Sequence, residues 1–309
     1  MTVLVERLAV IGAGLIGSSV ARAAREKGLA RIVVVTDQDP AVRARVRELG
    51  FAHEVPDSAA AAAEGADFVI ACVPVGASGA VAAEIAPALK PGAIVSDVGS
   101  VKAAVLEFMA PHLPAHAHLV PAHPVAGTEF SGPDAGFAAL FEGRWCIVTP
   151  PAEADPAAVE TVTALWRGFG SNVETMSAQH HDLVLAITSH VPHLIAYNIV
   201  GTAAHLEQTL TSEVIKFSAG GFRDFTRIAA SDPTMWRDVF LYNREAVLEM
   251  LGRFNEDLSA LQRAIRYGDG QALFDHFTRT RAIRRSIIEQ GQETAAPDFG
   301  RRPGAPAGS

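Results

Sequence analysis

The chain is poor in the features that mark special classes of protein. It has two cysteines in 309 residues, Cys72 and Cys146, too few for a disulfide framework. Both sit in apolar, strand-like runs, so they are expected to be buried free thiols of a reducing, cytoplasmic compartment. No run approaches the ~18 uninterrupted apolar residues that read as a membrane span, so no membrane partner is expected. The N-terminus has no basic segment followed by an apolar one, and no signal peptide is expected. Positive charge is in deficit: the formal net charge is −8, which argues against general affinity for nucleic acid. It leaves an acidic metabolite open, because a few local arginines decide that. Strand signals are missing altogether after Ser177.

What is present is an apolar, soluble composition, 49% hydrophobic and 19% charged, enough for a sizeable core. Residues 8–11 read as a short strand, and Ser18–Lys27 as a helix that Gly28 ends. Strands follow at Arg31–Thr36, Ala66–Val73, Ala93–Val98, His118–Pro121, Arg144–Thr149 and Asn172–Met176, with helices opening at Pro40 and spanning Pro156–Phe169. The apolar runs are continuous rather than alternating, as in a parallel sheet covered on both faces. The fold class is therefore α/β: residues 1–176 form a doubly wound, Rossmann-type domain. Residues 177–294 form an all-helical domain, with apolar residues recurring at three and four, as in Val247, Leu248, Leu251, Phe254, Leu258 and Leu261. That domain is more apolar than an isolated bundle needs, which predicts a homodimer built through it. Residues 295–309 read as a disordered tail.

Gly12, Gly14, Leu15, Ile16 and Gly17 form a G-x-G-x-x-G loop between a strand and a helix, the setting that makes this motif informative. Gly12 permits the tight turn, Gly14 lets backbone approach a pyrophosphate, and Gly17 lets helix and strand pack closely. The helix N-terminus supplies N–H groups for phosphate. Asp37, ending the second strand, is placed to accept from the adenosine ribose hydroxyls and to repel a 2′-phosphate, which favours NAD. A cap before Pro40 is the competing role, for which Asp39 is also placed. Arg43 and Arg45 leave NADP open.

The segment Pro121–Gly132 holds His123 between two prolines that fix φ on either side. It follows a strand, at the sheet edge where such folds bind ligands. His123 reads as a proton acceptor beside a nicotinamide; the plainer alternative is a loop histidine bonded to backbone. Ser100 is a hydroxyl near the same edge, or the N-cap of the next helix, or both. Further on, Thr188–His193 and Gly220–Ala229 carry histidines and two arginines four apart, and arginine is suited to bidentate carboxylate capture. His112, His116 and His118 cannot share one helical face across Pro114. His180–His181 lacks a matching carboxylate or thiolate set. No metal site is expected.

Gly12–Ser18, Asp97-Val-Gly-Ser-Val-Lys102, His123-Pro-Val-Ala-Gly-Thr-Glu129, Ser189-His-Val-Pro-His193 and Gly221–Ala229 with Ser231-Asp-Pro occur in this order. Together they resemble the prephenate/arogenate (cyclohexadienyl) dehydrogenases of tyrosine biosynthesis, over nearly the whole chain. The resemblance implies an enzyme that oxidatively decarboxylates prephenate to 4-hydroxyphenylpyruvate, arogenate to tyrosine, or both, with NAD. It implies that His123 takes the ring-hydroxyl proton and that Ser100 bonds the same hydroxyl or orients His123. Arg227 would hold a substrate carboxylate, His193 would lie near the side chain, and Glu129 would gate or polarise that end of the pocket. Neither chorismate mutase helices before Leu8 nor an ACT-type regulatory domain after residue 295 is expected. Two other readings stand beside this one. A β-hydroxyacid-type dehydrogenase would rely on a lysine in the helical domain, where only Lys216 is available. A non-catalytic NAD-sensing protein would bind cofactor without turnover.

Overall fold

The computed structural model describes residues 3–128, 130–210 and 220–287, with the side chains of 206–210 left aside. Glu129, Lys216 and the 295–309 tail lie outside the described residues. Five strands form one parallel sheet: β1 (Val5–Ile11), β2 (Ala30–Thr36), β3 (Phe68–Ala71), β4 (Ile94–Asp97) and β5 (His118–Leu119). Their order is β2-β1-β3-β4-β5. Crossovers run through α1 (Leu15–Glu26), α2 (Pro40–Leu49), α3 (Ala59–Ala63), α4 (Ser78–Ile85) and α5 (Lys102–Met109).

The continuous apolar runs are explained by burial on both faces. Leu8 and Val10 of β1 pack into one core with Val33, Val35, Phe68 and Ile70. Ala9 and Ile11, pointing the other way, join Val34, Val69 and Ala71 in a second core. Side chains alternate across a strand, so a strand covered on both sides must be apolar at every position.

Beyond β5 the structure departs from the sequence reading. The strands at 144–149 and 172–176 do not extend this sheet. With β6 (Ala122–Pro124) they form a second, three-stranded sheet in the order β6-β7-β8, where β7 is Trp145–Val148 and β8 is Asn172–Thr175. β6 runs antiparallel to β7, pairing His123 with Ile147, while β7 and β8 are parallel. β5 pairs with β4 only as far as the bond from the Val120 N–H to Val95, and at Pro121 the chain passes to β7, where the Pro121 carbonyl accepts the Thr149 N–H at 2.9 Å. His123 is therefore a strand residue rather than a loop residue. α6 (Pro156–Phe169) links β7 to β8, burying Trp166 and Phe169 against Phe141.

From residue 177 every described element is helical: α7 (Ala178–Leu185), a single π-helical turn (Ala186–His190), α8 (Val191–Leu210), α9 (Gly220–Thr226), α10 (Pro233–Tyr242), α11 (Arg244–Tyr267) and α12 (Gly270–Ile287). The chain divides into two compact units, Met1–Val247 and Leu248–Ser309. The first runs past the change in sequence character at 176, because Trp236 and Val239 of α10 belong to the second core of the parallel sheet. The helical run Ala178–His205 is long and apolar enough to cross a membrane by length and composition, with a mean hydropathy of 1.5. His181, Asp182 and His190 within it are nonetheless buried and bonded inside the unit, as in a core helix. In the second unit Ile265, Phe274, Phe277 and Ile283 stand exposed.

One buried ion pair joins the two sheets. Lys102, fully buried at the start of α5, donates from Nζ to Asp97 Oδ2 at 2.5 Å and to the Ala122 carbonyl at 2.8 Å. It thus ties the end of β4 to the residue preceding His123. Burial pushes the Asp97 carboxyl up and the Lys102 ammonium down, and each charge draws the other back. Replacing one partner leaves the other buried and uncompensated. Lys102→Met is expected to cost about 3–5 kcal/mol, measured by urea unfolding; a loss below about 1 kcal/mol would show that the pair does not hold β6 in place.

Candidate active site

The glycine loop leaves β1 at Ile11 and enters α1 at Leu15. Gly12 has φ +96°, and a Cβ there would meet the Cys72 carbonyl oxygen at 2.3 Å. At Gly17 a Cβ would lie 1.9 Å from the Gly12 carbonyl oxygen. Both positions therefore demand glycine on steric grounds. Gly14 is different: nothing lies within 4 Å of where its Cβ would be. That open space sits at the N-terminus of α1, whose cap has no side-chain partner. Leu15 and Ile16 open the helix there, with their N–H groups available for a diphosphate.

Asp37 faces this loop. Its Oδ2 accepts from the Ala13 N–H at 2.8 Å and its Oδ1 from the Asp39 N–H at 3.0 Å. The helix-cap role goes to Asp39, which accepts from Ala41. Asp37 is thus held against the nucleotide loop with lone pairs to spare. Arg43 donates to the carbonyls of Asp37 and Gln38 and to Asp57, while Arg45 is engaged by Asp134 and Glu48. These bonds give both arginines partners other than a nucleotide phosphate.

His123 is buried in β6, and its Nδ1 lies 2.8 Å from His181 Nε2. His181 Nδ1 lies 2.8 Å from Asp182 Oδ1. The Asp182 carboxylate also accepts the Lys102 N–H at 2.8 Å and the Ala103 N–H at 2.9 Å. α5 has Val101 at its N-cap with no side-chain bond of its own. Asp182 supplies the missing cap from 80 residues away. Ser100, half-buried between Gly99 and that N-terminus, is near the sheet edge as expected but is not the N-cap. Asn243 donates to the Asp182 carbonyl at 2.8 Å and lies 3.1 Å from His190 Nδ1.

His193 stacks on Trp236, with ring centroids 3.7 Å apart, and its Nδ1 bonds the Ser189 carbonyl. Arg227, half-buried at the start of a short 3-10 turn, is near enough for its charge to lower His193. His190 feels both His181 and His193, so the motifs around 123, 190 and 227 converge. An open cleft of about 430 Å³ lined by Gly76, Phe108, His112 and Tyr242 involves none of these residues.

Sequence reasoning missed His181 and Asp182. It weighed His181 only as a metal ligand. The available signal was an ionisable His-Asp pair on an apolar helix, where burial demands partners.

A parallel sheet with a glycine turn suited to a dinucleotide, and a buried histidine on the strand that follows that sheet, are the features of a nucleotide-dependent dehydrogenase. Comparison with known proteins narrows this. The prephenate dehydrogenase nucleotide-binding domain matches residues 20–175, and the prephenate dehydrogenase dimerization domain matches residues 177–279. A cyclohexadienyl dehydrogenase of Zymomonas mobilis is 44% identical over 93% of this chain and 97% of its own. A prephenate dehydrogenase of Bacillus subtilis is 31% identical over 97% of this chain and 80% of its own. The crystal structure of the A. aeolicus prephenate dehydrogenase, in complex with hydroxyphenyl propionate and NAD+, superposes with a TM-score of 0.82 at 32% identity, covering 91% of this chain and 98% of that one. The chain belongs to the prephenate dehydrogenase family.

Burial is the leading cause that holds His123, His181 and His193 below the ordinary 6.5, and it takes His190 to about 4. The unfolded chain therefore binds protons that the folded chain refuses. Stability is full above pH ~6.5 and declines as pH falls through that value toward the depressed folded values. The melting temperature is expected to drop between about pH 7 and pH 5, measured by calorimetry; a level profile would contradict this site geometry.

Proposed function

We propose that the protein oxidatively decarboxylates prephenate to 4-hydroxyphenylpyruvate, arogenate to tyrosine, or both, with NAD as cofactor. The observation that carries this reading is His123: neutral, buried, held at the C-terminal edge of the parallel sheet, with Nδ1 occupied and Nε2 left for a substrate. NAD, when bound along Gly12–Gly17 and Asp37, supplies the hydride acceptor. His123 accepts the ring-hydroxyl proton at Nε2, which requires a neutral imidazole near pH 7. Ser100 bonds the same hydroxyl. Arg227 holds a carboxylate with His193 alongside. Loss of carbon dioxide and aromatisation provide much of the driving force, so the side chains chiefly align the reacting groups.

Asp37 favours NAD, since its carboxylate sits where a 2′-phosphate would bring like charge. The enzyme works as a homodimer. Leu183, Ile187, Ile199 and Val200 are exposed on the helical run, and Ile265, Phe274, Phe277 and Ile283 on the second unit; so many exposed large apolar side chains support a partner. We place the enzyme in the cytoplasm, where Cys72 and Cys146 stay free.

The test is NADH formation from prephenate and from arogenate, each with NAD and with NADP. Turnover is expected with NAD on at least one substrate and at least ~10-fold less with NADP, the ratio set by ~1.4 kcal/mol. No reduced cofactor from either acid would refute the reading. Arg227→Ala is expected to weaken substrate binding by roughly 1.5–3 kcal/mol, the scale of a hydrogen bond to a charged group; an unchanged KM would remove Arg227 from carboxylate recognition.

A further inference from the structure

The bonds around Asp182 settle more than a helix cap. Backbone N–H groups can only donate, so the oxygens facing Lys102 and Ala103 must accept. Asp182 Oδ1 also faces His181 Nδ1, and a carboxylate in that position requires the proton to be on Nδ1. A neutral His181 then presents a lone pair at Nε2, 2.8 Å from His123 Nδ1. His123 must in turn carry its proton on Nδ1 and its lone pair on Nε2. Two side chains of α7, one of β6 and two backbone N–H groups at the N-terminus of α5 leave one self-consistent arrangement of protons.

From this geometry we propose that His181 is a second, relaying imidazole: it fixes the tautomer of His123 and receives the His123 Nδ1 proton when the substrate hydroxyl proton arrives at Nε2. The proposal rests on the reading of His123 as the base. The step balances as proton transfers alone. The hydroxyl O–H bond breaks and an N–H bond forms at His123 Nε2. The His123 Nδ1–H bond breaks and an N–H bond forms at His181 Nε2. His123 ends neutral, and the positive charge ends on His181, whose Nδ1–H still faces Asp182.

Electrostatics favours that end state. Charge on His123 is opposed by burial and by its neighbours His181, Lys102 and His190. His181 is also buried and faces the Lys102 ammonium, but Asp182 and Asp97 act in favour of its charge. The titratable groups packed around the pair are Asp97 of β4, Lys102 of α5, Cys146 of β7, Asp182 of α7 and His190 of the π-helical turn. Asp182 is the one whose carboxylate touches a ring nitrogen of the pair. The pair therefore titrates as a unit, and the route of the proton leads away from Lys102 toward a fixed carboxylate.

His181→Gln separates the two roles. A glutamine amide oxygen can still accept from His123 Nδ1–H, which keeps the tautomer, but it cannot carry the proton onward. The expected result is a fall in kcat of about 10- to 100-fold, short of the ~10²–10⁴-fold loss for His123→Asn, which removes the base itself. KM and the NAD dissociation constant should stay within about twofold, because the substituted group touches neither ligand in the proposed arrangement. The acidic limb of the kcat–pH profile should move to lower pH, since a charge can no longer be shared next to Asp182. A folded His181→Gln enzyme with unchanged kcat, or with lowered kcat and an unmoved limb, would overturn the relay. A His123→Asn enzyme with full kcat would instead sink the base assignment. Should His181→Gln fail to fold, histidine side-chain ¹⁵N NMR of the wild-type enzyme decides the matter: both His123 and His181 should be Nδ1–H tautomers at neutral pH, and an Nε2–H His123 overturns the proposal.

Discussion

The site depends on where one carboxylate is placed. Asp182 comes from the helical segment, yet its side chain closes the N-terminus of α5 and its main chain is held by Asn243. A helix start normally draws its cap from the residues just before it. Here the cap arrives from a distant element, so capping α5 and docking α7 onto the parallel-sheet unit are one event. The same carboxylate orients His181, and through it His123. Moving Asp182 would therefore disturb fold and chemistry together.

A second constraint works from the other side of His123. The Lys102–Asp97 pair holds the carbonyl of Ala122, and β7 pairs with His123 directly. His123 is thereby fixed by its backbone through one buried network and by its ring through another. Burial strips the water that would otherwise stabilise an imidazolium, which holds His123 well below the ordinary histidine value. In the proposed reaction that neutral ring is the proton acceptor.

The nucleotide half of the molecule was legible in the sequence because its signals are local. Gly12, Gly14 and Gly17 lie within six residues; steric conditions of the turn itself demand glycine at 12 and 17, and Gly14 leaves open space at the helix start. The paired cores of β1, β2 and β3 follow from runs that are apolar at every position. The end of the sheet was harder to read: nothing near Pro121 says that 144–149 and 172–176 will form a sheet of their own with His123 in it. Asp37 was legible as a loop-facing carboxylate, and its contest with Asp39 for the cap was settled only by backbone direction at Pro40. His181 was misread because its partners, Asp182 aside, are 58 or more positions away.

By itself the sequence determined the fold class, the family and the glycine turn, since each rests on short-range pattern or on motif order. Tertiary structure alone decided which nitrogen of His123 is free, that Asp182 rather than Ser100 caps α5, and that Lys102 anchors β6. Those are properties of hydrogen bonds between segments far apart in the chain. A hydrogen bond needs its two atoms within about 3 Å and aligned, a condition that only the folded backbone can meet.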